Sequence, residues 1–140
     1  MLVSNDNIVK AIGNNQSDFL NHPSVLPSSL MFNNIYPFLY VPEAQDEQKT
    51  YITIAFRNFR LDRTFYKIGN ICFYVFSHYS LMQTDYGILR TDFIINQIDT
   101  IFNKTEQLGI GKLQFDKMDD IKISRFHIGS YIEYKDLSFN

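Results

Sequence analysis

The chain has 140 residues, of which 45% are hydrophobic and 16% aromatic, and its formal net charge is −2. This length suits a single domain with one hydrophobic core. The small net charge gives no reason to expect strong non-specific binding to nucleic acid, and no apolar run approaches the ~20 residues that span a bilayer.

Residues 1–42 predict a short helix followed by an irregular, apolar arm. The helix is expected within residues 5–20, with Asn5 or Asp6 as its N-cap and Gly13-Asn14 as its end. All four prolines follow within residues 21–42, where they disfavour helix and central strand. Because a flexible linker carries few large apolar groups, we expect an extended arm that packs on its own domain or on a neighbour.

The first half of the remaining chain predicts two strands. Hydrophobic alternation over residues 49–59 is typical of a half-buried strand, with Ile52, Ile54 and Phe56 on one side. Residues 64–77 form a second candidate strand, and its apolar run ICFYVF indicates cover on both faces. That run holds the single cysteine, Cys72, which excludes an internal disulfide and a cysteine-based zinc site. We expect Cys72 to pack as a small hydrophobic residue.

The second half predicts a helix and two further strands. Apolar residues recur at spacings of three and four over residues 88–103, which indicates the long helix. Residues 110–116 predict a strand with Leu113 and Phe115 inward, Asp119-Asp120 predicts a turn, and residues 121–137 predict a long last strand. Gly129 lies inside that strand, where glycine often marks a bulge or kink.

This order of elements predicts an α+β protein. We expect an antiparallel or mixed sheet of about four strands with the long helix packed on one face. The helix and arm would occupy residues 1–42 and the core residues 43–140, together forming one domain. The first residues lack a basic n-region and an apolar h-region, so we expect no signal peptide and synthesis in the cytoplasm.

A histidine and two aspartates near residues 78–102 raise the question of a metal or acid–base site. The alternative is an ordinary strand–loop–helix junction, with His78 ending the strand and Asp85 and Asp92 near the helix start, where the dipole favours negative charge. Arg90 is then expected to form a weak, exposed ion pair with either aspartate. On this interpretation the loop is a candidate contact surface, through Tyr79, Met82 and Tyr86.

No catalytic, metal-binding or cofactor-binding residues are predicted. His22, His78 and His127 lack the short spacing of metal ligands, and the run LGIGKLQF fails the phosphate-binding loop pattern. Asp116, Asp119 and Asp120 form a local acidic cluster that would suit a Mg²⁺-dependent nuclease. Since a turn between strands uses the same residue types, the nuclease stays the weaker alternative and we predict no enzyme.

Two groups of residues are candidates for an oligomer or partner interface. Arginines at Arg57, Arg60 and Arg63 would either contact phosphate or form ion pairs between subunits with the acidic segment 43–47. The arm adds aromatic residues, which favour interfaces as well as strands. Those arm residues are Tyr36, Phe38 and Tyr40.

A resemblance to a known class rests on five segments in order. They are EAQDEQKTYITIAF, ICFYVFSH, YGILRTDFIINQIDTIFN, LGIGKLQF and FHIGSYIEYKDLSFN. Over residues 43–140 the order, length and style of these elements resemble the tail-terminator (tail-completion) and head–tail joining proteins of tailed-phage necks. The proline-rich arm departs from that pattern.

The resemblance implies a structural protein of the virion, assembled in the host cytoplasm, with no membrane partner. It implies a homo-oligomeric ring, commonly hexameric, between the tail tube and the connector, whose channel passes DNA without reading its sequence. An alternative interpretation is a small soluble adaptor or regulatory protein that binds a partner through its arm.

Overall fold

A computed structural model describes residues 2–43, 47–62, 66–103 and 114–139. It shows an α+β fold with a five-stranded sheet in the order β1-β2-β3-β5-β4. The elements are α1 (Asp6–Gly13), β1 (Ile35–Tyr36), β2 (Thr50–Asp62), β3 (Tyr66–His78), α2 (Arg90–Asn103), β4 (Gln114–Lys122) and β5 (His127–Phe139). The predicted α+β class and mixed sheet are confirmed, with five strands rather than about four because β1 adds a two-residue parallel strand beside β2.

The central strand β3 is covered on both faces, as its continuous apolar run predicted. Phe73 and Val75 belong to the main core beneath the helices, whereas Cys72 and Phe76 belong to a second cluster on the opposite face. Cys72 is fully buried and has no disulfide. Both neighbours of β3 run antiparallel to it, β2 on one side and β5 on the other.

The main core lies where α1 and α2 pack on one face of the sheet. The side chain of Asn5 caps α1 by accepting a hydrogen bond from the amide of Ile8 at 3.0 Å. From α2, Ile94, Ile98 and Phe102 face the sheet, and the ring of Phe102 lies 5.2 Å from that of Phe73. Burial of each such side chain stabilises the fold by about 1.5–3 kcal/mol.

The segment predicted as an extended arm is not extended throughout. It contains the end of one 3₁₀ turn, a second at Pro27–Leu30, and the strand β1. Pro27 is accommodated because it opens its turn, where no amide hydrogen bond is required. Leu30 and Ile35 are buried in the main core, and the side-chain amide of Asn34 donates to the carbonyl of Thr50 at 2.9 Å. The segment therefore packs on its own sheet.

The turn predicted at Asp119-Asp120 is wrong. Both residues lie inside β4, paired with Tyr131 and Ser130 of β5. The chain turns at residues 123–126 instead, where the Ser124 hydroxyl accepts hydrogen bonds from the amides of Phe126 and His127, each at 3.2 Å. Serine also makes such turns, although more weakly than aspartate, so turn-forming residue types were present at both positions.

The inward position predicted for Phe115 is also wrong, since its side chain is 54% exposed. The reason is that β4 is the last strand of the sheet and carries almost no cover. Leu113 and the rest of residues 110–113 lie outside the described residues. No helix in the described part of the chain has the length and apolarity needed to cross a bilayer.

Candidate interaction surface

Three predicted interface residues of the arm form one aromatic cluster. The ring of Tyr36 lies 4.0 Å from that of Tyr40 and 5.7 Å from that of Phe38. Tyr40 stacks on Tyr51 of β2, and Tyr51 stacks in turn on Phe76. Phe38 is exposed at the outer end of this aromatic cluster. The stacked rings therefore run from the protein surface to the buried second cluster that contains Cys72 and Phe76.

The hydroxyl of Tyr51 is held inside this cluster as a hydrogen-bond donor. It donates to a carboxylate oxygen of Glu47 at 3.3 Å. Burial, and then the neighbouring Glu47, raise the pKa of Tyr51 well above its usual value. The ring therefore stays neutral over the whole physiological range.

Arg57 and Arg60 belong to the part of β2 that continues beyond the end of β1. The register of β1 stops at Thr53, and in the described part of the chain no other strand pairs with that side of β2. Arg57 places its guanidinium 5.1 Å from the centre of the Tyr74 ring, and Arg60 donates to the carbonyl of Asn58 at 3.1 Å. Arg63 lies outside the described residues.

The same segment of β2 exposes large apolar side chains that the alternation pattern did not identify. Phe59 is 51% exposed and Leu61 is 71% exposed. Phe56 has the same phase as the buried Ile52, yet it extends past the cover of the helices and is half-exposed. Phe56 also lines an apolar groove of about 370 Å³ with Met31 and Pro37 of the arm. Exposed apolar clusters of this kind mark interaction sites on protein surfaces.

Of the three contact residues predicted in the loop after β3, one is exposed to solvent. Tyr79 is exposed and stacks 4.7 Å from the ring of His78. Met82 is buried, and it lines a cavity instead. The hydroxyl of Tyr86 accepts a hydrogen bond from the amide of Leu20 at 2.9 Å, and its ring packs edge-on against Phe19. Met82 and Tyr86 thus hold the loop to its own chain.

The exposed ion pair predicted for Arg90 is wrong, because this side chain is fully buried. Its guanidinium donates five hydrogen bonds of 2.8–3.1 Å to backbone carbonyls. Those acceptors belong to Ala11, Asn14, Asn15, Gln16 and Leu81. Burial lowers the pKa of Arg90 to about 10, which still leaves it charged at neutral pH.

A cavity of about 510 Å³ lies between the start of α2 and the β4–β5 hairpin. Its polar lining includes Asp92, Asp120 and Lys122, and its apolar lining includes Leu89 and Ile128. Burial, reinforced by the negative charge of Asp120, raises the pKa of Asp92. Two carboxylates thus share one recess.

The acidic cluster considered for a nuclease does not converge on one point. Asp119 and Asp120 are consecutive in β4, and successive strand residues point to opposite faces. Among the residues that the structure describes, no three histidine, cysteine, aspartate or glutamate side chains are placed to share a metal ion. This arrangement gives the Mg²⁺-nuclease interpretation no support.

Strand β4 forms the second open edge of the sheet. Its residues are exposed except for the half-buried Ile121, and they include the apolar Phe115 and Met118. Three aspartates and two lysines accompany them. The outer edge of β2 carries two arginines in the described range, so the two edges differ in charge.

In the part of the chain that the structure describes, the fold and surface define an α+β protein with a mixed sheet whose two outer edges differ chemically. The YomW family model matches residues 5–135, and the chain therefore belongs to the YomW family. The family name is that of a phage-derived protein, which is consistent with a phage origin and does not specify a tail terminator. No curated protein and no solved structure matches the chain.

Proposed function

We propose that this protein is a structural component of a tailed-phage neck, a tail terminator or completion protein. It forms a ring between the tail tube and the connector, and DNA passes through the ring. The observation that carries the proposal is the set of exposed apolar side chains along the open sheet edges and the arm. Membership of a phage-derived family and the resemblance in element order support the same class.

The exposed side chains have the composition of an interface. Aromatic residues and arginine are enriched where proteins meet, because they combine large contact areas with specific geometry. On β2, Phe56 and Phe59 alternate with Arg57 and Arg60 over five residues. Leaving these rings in water is unfavourable, and a bound neighbour removes that exposure.

Ring closure requires that each subunit present two different, mutually complementary surfaces. A sheet with two open edges provides such a pair, since one edge can receive the other. The small net charge also suits a channel that DNA must traverse, because a strongly basic lining would retain the phosphate backbone.

An adaptor that binds a partner through its arm is the second candidate. Its support is the run of exposed apolar residues after β1, namely Phe38, Leu39 and Val41. In that case the partner would cover the arm, and no ring would be needed.

Removal of this chain from the phage that encodes it tests the proposal. Without a ring to stop tube growth and join the head, we expect tails of uncontrolled length and heads without tails in electron micrographs. Supplying the wild-type chain should restore normal particles, in which labelled antibody binds at the neck. Normal particles without the chain would overturn the proposal. Antibody binding only to free protein would favour the adaptor.

A further inference from the structure

Among the described residues, the sheet has two open edges that run in opposite directions. The outer side of β2 is unpaired among the described strands from Ile54 to Asp62, which is nine of its 13 residues, and β4 also has nine residues. Every neighbouring pair from β2 through β3 and β5 to β4 is antiparallel. Strand β4 therefore runs opposite to β2. A second copy in the same orientation brings its β2 antiparallel to the first copy's β4.

We propose that copies of this chain associate head to tail through these edges. Strand β4 of one copy pairs with Ile54–Asp62 of β2 in the next, so that the sheet continues across the subunit boundary. This inference rests on the proposed ring and names the surface that closes it. Main-chain hydrogen bonds supply affinity in such strand addition, and side chains supply specificity.

The charged side chains on the two edges select a register, in which the described residues of both edges overlap fully. If all nine residues of each edge overlap, Lys122 lies opposite Ile54 and Gln114 lies opposite Asp62. Asp119 then lies opposite Arg57, and Phe115 lies opposite Leu61. Cross-strand pairs of opposite charge and of large apolar side chains both stabilise a sheet.

The same register brings together the irregular parts of both edges. Strand β2 shifts register between Arg57 and Arg60, and β4 shifts between Phe115 and Lys117. Full overlap sets Asp116, inside the β4 irregularity, opposite Arg60 at the end of the β2 irregularity. A second acid–arginine pair is thus aligned without adjustment of the register.

Asp119 and Arg57 also lie on the same face of the sheet. Asp119 pairs with Tyr131, whose ring packs against Tyr74, and the guanidinium of Arg57 lies over that same Tyr74 ring. This is the face opposite α2. Both Arg57 and Asp119 are exposed, and the Asp119 carboxylate accepts a hydrogen bond from the amide of Asp120 at 2.8 Å.

Charged edge strands normally discourage association. In this protein, the signs of the edge charges discourage some pairings between copies more than others. Symmetric antiparallel pairing of β4 with β4 of a second copy about Met118 would set Asp116 against Asp120, which is repulsive, and Lys117 against Asp119, which is attractive. The opposite edge has arginine in both positions that face Asp116 and Asp119, so the head-to-tail arrangement avoids that repulsion and is favoured over the symmetric one.

Charge reversal in the purified full-length chain tests this pairing. Sedimentation velocity and light scattering should show assembly of the wild-type chain beyond a dimer. Arg57→Glu or Asp119→Arg alone should weaken assembly by at least about tenfold, the scale of close interfacial charge pairs. Combining the two should restore it. Arg125→Glu makes the same charge change on the exposed turn before β5 and should assemble as the wild type does. Circular dichroism checks that each variant folds.

Disulfide trapping tests the register directly. Ile121 lies opposite Ala55 in the full overlap, at the separation a disulfide bridges. The trap uses a Cys72→Ala background, because Cys72 lies opposite Ala55 in the β2–β3 register and could form a disulfide with the new cysteine. Under oxidation, Ile121→Cys mixed with Ala55→Cys in this background should give a cross-linked pair, and the variant with both cysteines should give a ladder of longer species. Ile121→Cys alone should give none.

Three results would overturn the pairing. They are a wild-type chain that stays monomeric at all concentrations, assembly that ignores both charge reversals, and the absence of the mixed cross-link. If assembly ignores the reversals while deletion of the chain still gives heads without tails, the edge pairing fails and the neck function stands. If particles are normal without the chain while the charge-swapped variant regains assembly, the edge pairing stands and the neck function fails.

Discussion

At the scale of single residues, Arg90 fixes the N-terminal segment to the rest of the protein. Its five hydrogen bonds join the end of α1, the following residues 14–16 and the loop before α2. The carbonyls at the end of α1 carry the negative end of the helix dipole, which stabilises the buried cation. The ring of Phe19 lies 4.8 Å from the guanidinium carbon and adds a cation–π contact.

Replacing Arg90 should therefore be costly. We expect Arg90→Ala to reduce the free energy of unfolding by at least about 3 kcal/mol, because several buried carbonyls lose their donor at once. Arg90→Lys should cost less, since the ammonium retains the charge and part of the bonding. Denaturant titration measures both changes, and Arg125→Ala on the exposed turn serves as the control. A loss below about 1 kcal/mol for Arg90→Ala would contradict this role.

We expect His127 to make the stability dependent on pH. Its ring nitrogens lie 2.9 Å from the Ser124 hydroxyl and 3.0 Å from the Glu47 carbonyl. Burial lowers the pKa of His127; the Glu47 carbonyl and charge oppose that effect, and His78 adds to it. Below about pH 6.5, His127 therefore binds a proton more readily in the unfolded chain than in the folded one. The free energy of unfolding should fall as the pH drops below that value.

Thermal or denaturant unfolding between pH 7.5 and 5.5 measures this dependence. The variant His127→Gln should be less stable than the wild type at pH 7.5, because it loses part of the ring's packing and bonding. Its stability should nevertheless decline less between the two pH values, since the titrating group is gone. An equal decline in both proteins would assign the pH dependence to other groups.

At the scale of elements, the contact between β3 and β5 depends on a glycine. A Cβ atom at Gly129 would lie 1.9 Å from the carbonyl oxygen of Val75 and 2.7 Å from the Cα of Phe76. Because both are backbone atoms of the central strand, neither can move without disturbing the sheet. Gly129 was expected to mark a bulge or kink. Instead it is paired with Phe76 in regular register, and it allows the backbones to approach closely.

Comparing alanine substitutions at two glycines should distinguish the cost of overpacking from the cost of backbone strain. We expect Gly129→Ala to reduce the free energy of unfolding by about 3 kcal/mol or more, since it overpacks a strand pair. Gly87→Ala is the matched comparison, because Gly87 has a φ of 72° and open space around its Cα. It should cost about 1 kcal/mol, from backbone strain alone. A larger cost at Gly87 than at Gly129 would contradict this assignment.

At the scale of the whole molecule, the helices cover one face of the sheet, and no described strand pairs with the outer side of β4 or with β2 beyond Thr53. The exposed apolar residues and the complementary charges lie along those edges. The molecule therefore presents apolar and charged surface that a neighbouring subunit would cover. This is the physical basis of the proposed ring.

Assembly through the edges should respond to salt. Ionic screening shortens the range of charge interactions to about 3 Å at 1 M, compared with about 10 Å at 0.1 M. We expect self-association measured by sedimentation to weaken between these concentrations in the wild type, and to weaken similarly in the charge-swapped Arg57→Glu/Asp119→Arg protein. Association that strengthens with salt would show that apolar contacts dominate the edge.

The sequence by itself identified α1, β2, β3 and α2, but it did not predict β1 and it misplaced the turn between β4 and β5. Alternation over residues 49–59 and the apolar run around Cys72 predicted β2 and β3. These patterns are local, because successive residues of a strand point to opposite faces of the sheet. The stripe from Ile94 to Phe102 likewise identified the residues of α2 that face the core. Family membership, with residues 5–135 matched, agrees with the phage class inferred from element order.

Only the tertiary structure decided which positions are covered. Phe56 and Phe115 fit a buried pattern and are exposed, because one lies beyond the helices and the other on the last strand. Arg90 had the pattern of a surface residue and is buried, since its carbonyl partners lie up to 79 positions away in sequence. Local pattern reports the direction of a side chain, whereas burial depends on which distant segment packs there.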